Sequence, residues 1–258
     1  MPAAFSRRIL AWTLAASVAM GLAACAPERA VEPSTTPSAS APASLPAPVE
    51  KVKSFFDKNR YSIDDPLSIW AVNDKIRPFD PLDYIPPDLV TPDVHYISSP
   101  LMRKEAAAAI KQLFAASAAE GAGELQIQNA YRSFAVQTSI HNRLVAQLGK
   151  EKAQAQSARP GYSEHQAGLS ADVVGRPAVC AIQQCFGKTP QGVWLAKNAW
   201  RFGFVIRYPE GKQAVTGYIY EPWHIRYVGV YLSTELHNTG IQTLEEFFDL
   251  PPAPDYVD

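Results

Sequence analysis

The chain has 258 residues, 47% hydrophobic and 19% charged, with 24 Lys and Arg against 25 Asp and Glu for a formal net charge of −1. This composition excludes a wholly disordered chain and a coiled coil, and the charge balance speaks against a nucleic-acid binder. Three cysteines are too few for a disulfide scaffold.

Arg7 and Arg8 precede an uncharged, mostly apolar run from Ile9 to Ala24. The run is shorter than the ~20 residues of a membrane-spanning helix and fits the apolar core of a secretory leader. Leu22-Ala23-Ala24-Cys25 resembles a bacterial lipobox, which implies that Cys25 is lipidated and becomes the mature N-terminus. The alternatives are an ordinary signal peptide cut nearby and an anchor helix. In residues 26–50, Pro, Ala, Ser and Thr make up 18 of 25, a composition that cannot bury enough apolar surface to offset its ordering entropy. The expected organisation is therefore a lipoprotein signal peptide over 1–24, a lipidated Pro/Ala/Ser-rich linker over 25–50, and one domain over 51–258. Such a protein is exported to the cell envelope and tethered to a bacterial membrane by its lipid, with a monomeric domain.

Residues 61–100 are loop-rich, with seven prolines from Pro66 to Pro100. Ser99-Pro100 reads as an N-cap followed by Pro at the first helical position, with a helix running to about Ala119 and stopped by Gly121 or Gly123. Leu125, Ile127 and Asn129 alternate with glutamines, which predicts a strand. Val136, Ile140, Leu144, Val145 and Leu148 fall at helical spacing, ending at Gly149. Further strands are predicted over Leu169–Val174, Phe202–Arg207 and Ile219–Tyr227, with a helix from Thr189-Pro190 to about Trp200. Thr243 and Glu246 form a capping box for a short last helix. Interleaved helices and antiparallel strands make the class α+β.

Two blocks carry chemistry: Ser163-Glu164-His165-Gln166-Ala167-Gly168-Leu169-Ser170-Ala171-Asp172 and Glu221-Pro222-Trp223-His224. Two imidazoles and a carboxylate suit Zn2+, whose catalytic sites use three protein ligands and keep a fourth position open. Glu221, three residues before His224, is placed to act as general base. The other three histidines, His95, His141 and His237, read as surface or structural. A Ser163-His165-Asp172 triad is a competing arrangement, but Ser163 lacks the strained turn of a G-x-S-x-G nucleophile.

The first block resembles the S-x-H-x-x-G-x-A-x-D signature of VanY-type D-alanyl-D-alanine carboxypeptidases, zinc peptidases of the LAS/hedgehog-like superfamily. The second resembles their E-x-W-H signature, and Tyr131-Arg132-Ser133 with Gln137 resembles their Y-R-S…Q segment. Order and spacing agree from about Leu101 to Gly229. Ser170 departs from the usual Ala, and the proline-rich segment before Pro100 lies outside the likeness. The resemblance implies a small antiparallel sheet flanked by helices with zinc in its cleft. It implies His165, Asp172 and His224 as ligands and Glu221 as base. It also implies that Arg132 and Gln137 grip the substrate and that Ser163 and Tyr208 contact it. A planar, permanently charged guanidinium suits a terminal carboxylate or a developing oxyanion.

The activity implied is removal of the terminal D-alanine from peptidoglycan stem peptides. An L,D-carboxypeptidase, an endopeptidase and a non-catalytic peptidoglycan-binding lipoprotein are the alternatives. Intact Glu221 beside three ligands weighs against the last of these. In an exported protein, Cys180 and Cys185 are expected to form a disulfide outside the catalytic shell.

Overall fold

The computed structural model describes residues 56–257, which fall within one compact unit. The leader over 1–24, Cys25 and the linker over 25–50 lie outside the described residues.

A short antiparallel pair, β1 (Leu89–Val90) and β2 (Met102–Arg103), leads into α1 (Lys104–Ala119). Then come β3 (Leu125–Asn129), α2 (Phe134–Leu148), α3 (Lys150–Gln154) and β4 (Ser170–Gly175). The chain continues through α4 (Pro190–Asn198), β5 (Phe204–Ile206), α5 (Gln213–Thr216) and β6 (His224–Tyr227). It closes with α6 (Gly229–Thr239) and α7 (Leu244–Phe247). The main sheet is antiparallel in the order β3-β4-β6-β5. The class is α+β, as the sequence predicts.

α1 buries Ala106, Ala107, Ile110, Leu113, Phe114 and Ser117, spaced by three and four along one face. That face packs on a core that includes Met102, Ile127, Leu169, Val173, Leu195 and Ile225. Every residue of β4 is buried, which makes it the covered middle of the sheet. α4 starts on Thr189, whose side chain accepts from the Gly192 backbone N–H, with Pro190 in the first turn.

Three predicted boundaries differ. Ser99-Pro100 does not cap α1, because the stretch after it is claimed as extended chain. Ala130 donates to Ser99 O at 2.8 Å, Tyr131 to Leu101 O at 2.9 Å, and the Arg103 N–H to Gly168 O at 2.8 Å. The strand predicted from Ile219 begins only at His224. Pro222 has no N–H to give to a ladder, and the His224 N–H closes a turn onto Glu221 O at 3.1 Å. The strand predicted from Phe202 begins at Phe204, because Phe202 ends a 3-10 turn (Ala199–Phe202) capped by Gly203 at φ 83°.

The proline-rich segment is part of the body of the fold. Trp70 is buried with Val72, Val228, Leu232, Leu244 and Phe247 in a second core beneath α6 and α7. Its indole donates to Val228 O at 2.9 Å. No helix among the described residues is long and apolar enough to cross a membrane.

Candidate metal centre and its cleft

In the β4–β6 ladder Asp172 stands directly opposite His224, and directly paired residues project to the same face. His165 arrives from outside the sheet, on a 3-10 turn (Glu164–Ala167) that ends at Gly168 with φ 67°. This left-handed position is one that glycine adopts without strain, and a Cβ there would meet the Leu89 side chain at 2.7 Å. The turn folds the chain back so that residues seven apart in sequence converge.

His165 Nδ1 lies 2.7 Å from Ala130 O. A carbonyl only accepts, so Nδ1 carries the proton and the Nε2 lone pair faces Asp172 Oδ2 at 3.4 Å. His224 Nδ1 lies 3.2 Å from Asp172 Oδ1 and 3.7 Å from Glu221 Oε2. The imidazole planes are nearly perpendicular, at 89°. His165, Asp172 and His224 are buried, and their ligand atoms all lie within 4.8 Å of one another. Of the converging atoms, His165 Nε2 and Asp172 Oδ1 have no hydrogen-bond partner among the described residues. Buried polar atoms are rarely left so. Ligand bonds of about 2.0–2.2 Å from two imidazoles and a carboxylate would satisfy the converging atoms, so the donor set fits Zn2+.

The electrostatics agree. Burial pushes His165 down to about 4, with Arg132 adding to the effect, so the imidazole stays neutral and able to ligate. Burial also disfavours charge on His224, but Asp172 and Glu164 outweigh it and raise this group to about 9, the mark of a position that attracts positive charge. Burial opposes the Asp172 carboxylate, yet His165 and His224 hold it well below its usual range. Glu221 is pushed by burial up to about 8, against the pull of His224 and Arg132.

The centre opens into a cleft of about 640 Å³ lined by Arg132, Arg143, Glu221 and Trp223 among others. The apolar stripe of α2 lines the same cleft through Val136, Ile140 and Leu144, while the buried residues of that helix are Gln137 and His141. Arg132 Nη1 donates to Gln137 Oε1 at 2.9 Å, and Arg132 Nη2 lies 3.9 Å from Asp172 Oδ2. Gln137 is fully buried, and its amide nitrogen is taken by Ser157 Oγ at 3.1 Å and Ala158 O at 2.7 Å. It therefore stands behind Arg132 rather than in the cleft.

The structure thus brings His165, Asp172, His224, Glu221 and Arg132 together at one cleft. Ser163 is buried and off the cleft wall, and no hydrogen bond among the described residues joins its hydroxyl to His165. Tyr208 lies in the layer behind, its ring 4.9 Å from His224 and 4.7 Å from Tyr218. Burial holds its phenol well above the usual range. Cys180 and Cys185 are bonded, and the loop they close presents Ile182 to the cleft.

Two features escaped sequence reasoning. Asn129 Nδ2 donates to Asp172 Oδ2 at 2.8 Å, fixing the carboxylate. Behind His224 lies a buried ionic group of Glu164, Arg207, Arg226 and Glu245. Its only sequence signal was the position of Glu164 inside the first block.

Residues 99–230 match the VanY family, described as D-alanyl-D-alanine carboxypeptidase. The putative carboxypeptidase YodJ of Bacillus subtilis is 40% identical over 193 residues, covering 73% of this chain and 70% of that protein. A D-alanyl-D-alanine carboxypeptidase of Enterococcus faecium is 36% identical over 148 residues, which is 57% of this chain but 44% of the relative's own length. Among solved structures, the LD-carboxypeptidase LdcB superposes with a TM-score of 0.67 at 41% identity, covering 71% of this chain and 87% of that one. A mutant of the vancomycin-resistance D,D-pentapeptidase VanY, solved in complex with Zn(II), gives a TM-score of 0.58 at 28% identity, over 70% of this chain and 98% of that one.

Proposed function

The chain belongs to the VanY family of D-alanyl-D-alanine carboxypeptidases, and from that premise we propose that it is a zinc-dependent carboxypeptidase that removes the terminal D-alanine from peptidoglycan stem peptides. One observation carries the reading: His165, Asp172 and His224 converge within 4.8 Å, with Glu221 Oε2 3.7 Å from His224 Nδ1.

His165 through Nε2, Asp172 through its carboxylate and His224 through Nδ1 would hold the metal. Zn2+ supplies a Lewis acid and lowers the pKa of water to about 7. Glu221 takes the proton of the attacking water and returns it to the leaving amine nitrogen as the amide C–N bond breaks and a C–O bond forms. Burial lifts the Glu221 carboxyl to about 8 against the pull of His224 and Arg132, and a cation held by the three ligands would lower it. A carboxyl near neutrality can both accept and give up a proton. Arg132, held by Gln137, presents its guanidinium at the cleft to the substrate carboxylate or the developing oxyanion. Gln137 supports Arg132 and Tyr208 packs against His224, while Ser163 starts the turn that carries His165, its carbonyl taking the Gln166 N–H.

The anchor belongs to the same proposal. Lipidated Cys25 and the linker over 25–50 would tether the domain over 51–258 to a membrane of the cell envelope, within reach of the polymer. The domain acts as a monomer.

A second reading is favoured by one observation: LdcB, an LD-carboxypeptidase, is 41% identical, whereas the D,D-pentapeptidase VanY is 28% identical. Mass spectrometry of muropeptides after incubation with the zinc-loaded protein separates the two. Loss of one alanine from a pentapeptide ending in D-Ala-D-Ala is the expected result. Loss only from a tetrapeptide ending in a single D-Ala moves the activity to the L,D class. No loss from either overturns the carboxypeptidase reading.

A further inference from the structure

Glu164, Arg207, Arg226 and Glu245 are each at most 1% exposed. Arg207 Nε and Arg226 Nη1 both donate to Glu164 Oε1 at 2.8 Å. The remaining nitrogens of Arg207 reach Glu245 at 2.9 and 2.6 Å. Arg226 is anchored by Ala71 O at 2.8 Å and Ile69 O at 3.2 Å. Two cations and two anions make the group neutral as a whole. Taking each ion from water costs several kcal/mol, and apolar residues of similar size often serve stability as well or better. A group of this kind is therefore poorly explained by stability alone.

Its geometry points elsewhere. Both guanidinium bonds fall on one oxygen of Glu164. The other, Oε2, is left to Ser170 Oγ, which donates at 3.3 Å, and to His224 Nε2, at 3.7 Å. His224 Nε2 is one of the buried nitrogens without a hydrogen-bond partner among the described residues. A separation of 3.7 Å is an ion-pair contact, and a ring shift of about 0.5–1 Å, of the order of ordinary thermal displacement, brings it to hydrogen-bonding distance.

We propose that Glu164 is the positioning residue of the metal centre: its Oε2 accepts the hydrogen bond of the His224 Nε2–H and so leaves the Nδ1 lone pair to the metal. The two arginines pin the carboxylate through its other oxygen for that task. Ser170 supplies a donor to the same oxygen, which gives a role to the one residue of the first block that departs from the family pattern. His165 is oriented by Ala130 O, so each histidine has its own outer partner, an arrangement that fixes tautomer and ring direction in metal sites generally. The inference rests on the zinc reading given above.

The test is the zinc dissociation constant of the full-length protein, measured by competition with a chelator, with the visible spectrum of the Co2+-substituted protein as a second readout. Glu164→Gln is expected to weaken zinc binding about 10–100-fold and to alter the Co2+ spectrum. Glu245→Gln removes the same charge from the group without facing His224, and is expected to lower the melting temperature while leaving zinc affinity within about threefold of wild type. Should Glu164→Gln not fold, Glu164→Asp keeps the charge and withdraws the oxygens by one methylene, with the same expected weakening. Wild-type affinity in the Glu164 variants overturns the proposal. Equal weakening by Glu245→Gln also overturns it, since the group would then serve the fold alone. A wild-type protein that binds no zinc overturns the zinc reading itself.

Discussion

At the scale of single residues, the centre is a set of side chains whose polar atoms have one partner too few. Asp172 Oδ2 has Asn129, but Oδ1 has no hydrogen-bond partner among the described residues. Arg132 is tied at one nitrogen to Gln137, while its buried Nε has no hydrogen-bond partner among the described residues. Arg132→Lys keeps the charge and loses the planar fork. Steady-state kinetics are expected to show KM raised about tenfold, or ~1.4 kcal/mol, with zinc content unchanged. An unchanged KM would remove Arg132 from substrate binding. The places of Arg132 and Glu221 at the cleft were legible in the sequence through their motifs. Gln137 was legible only as a partner in the same segment; its place behind Arg132 depends on Ser157 and Ala158, twenty residues away and more, which no local pattern reveals.

At the scale of elements, the site depends on a ladder register and one turn. The register sets Asp172 against His224, and the turn before β4 brings in His165. Gly168 ends that turn at φ 67°, and its carbonyl takes the Arg103 N–H, which ties the turn to β2. Gly168→Ala forces an L side chain into the left-handed region, at about 1–2 kcal/mol. Thermal unfolding is expected to fall by roughly 3–6 °C; an unchanged midpoint would mean that the turn relaxes freely. Strand and helix centres were readable, β3 and α2 from periodicity and α4 from its Thr189-Pro190 start. The ends were not. α1 starts at Lys104 because distant backbone takes up Leu101 and Arg103. The apolar stripe of α2 has helical spacing whether it faces a core or a cleft, and here it faces the cleft.

At the scale of the whole molecule, a four-stranded sheet, three packed cores and a buried ionic group make up the body on which the cleft is built. The metal would join β4, β6 and the turn between Glu164 and Ala167, so it should stabilise the fold as well as serve chemistry. At a thousandfold excess over its dissociation constant it adds about 4 kcal/mol. Chelation is expected to lower the melting temperature by roughly 8–16 °C, and added zinc to restore it. A midpoint indifferent to chelator would contradict a site linking three elements. The N-terminal part of the described chain illustrates the limit of motif reading. Its prolines suggested loops, and apart from β1 loops they are, but Trp70 and Val72 complete a core that only the folded chain assembles. The buried charges were equally hidden, because Arg207, Arg226, Glu164 and Glu245 look in sequence like the surface residues that such types usually are.

The most direct test of the account compares D-alanine release from a D-Ala-D-Ala pentapeptide by wild type and Glu221→Gln, with bound zinc measured on the same samples. The account predicts one zinc per chain in both proteins and release slowed about 10²–10⁴-fold in the variant. Equal rates with equal zinc would contradict it.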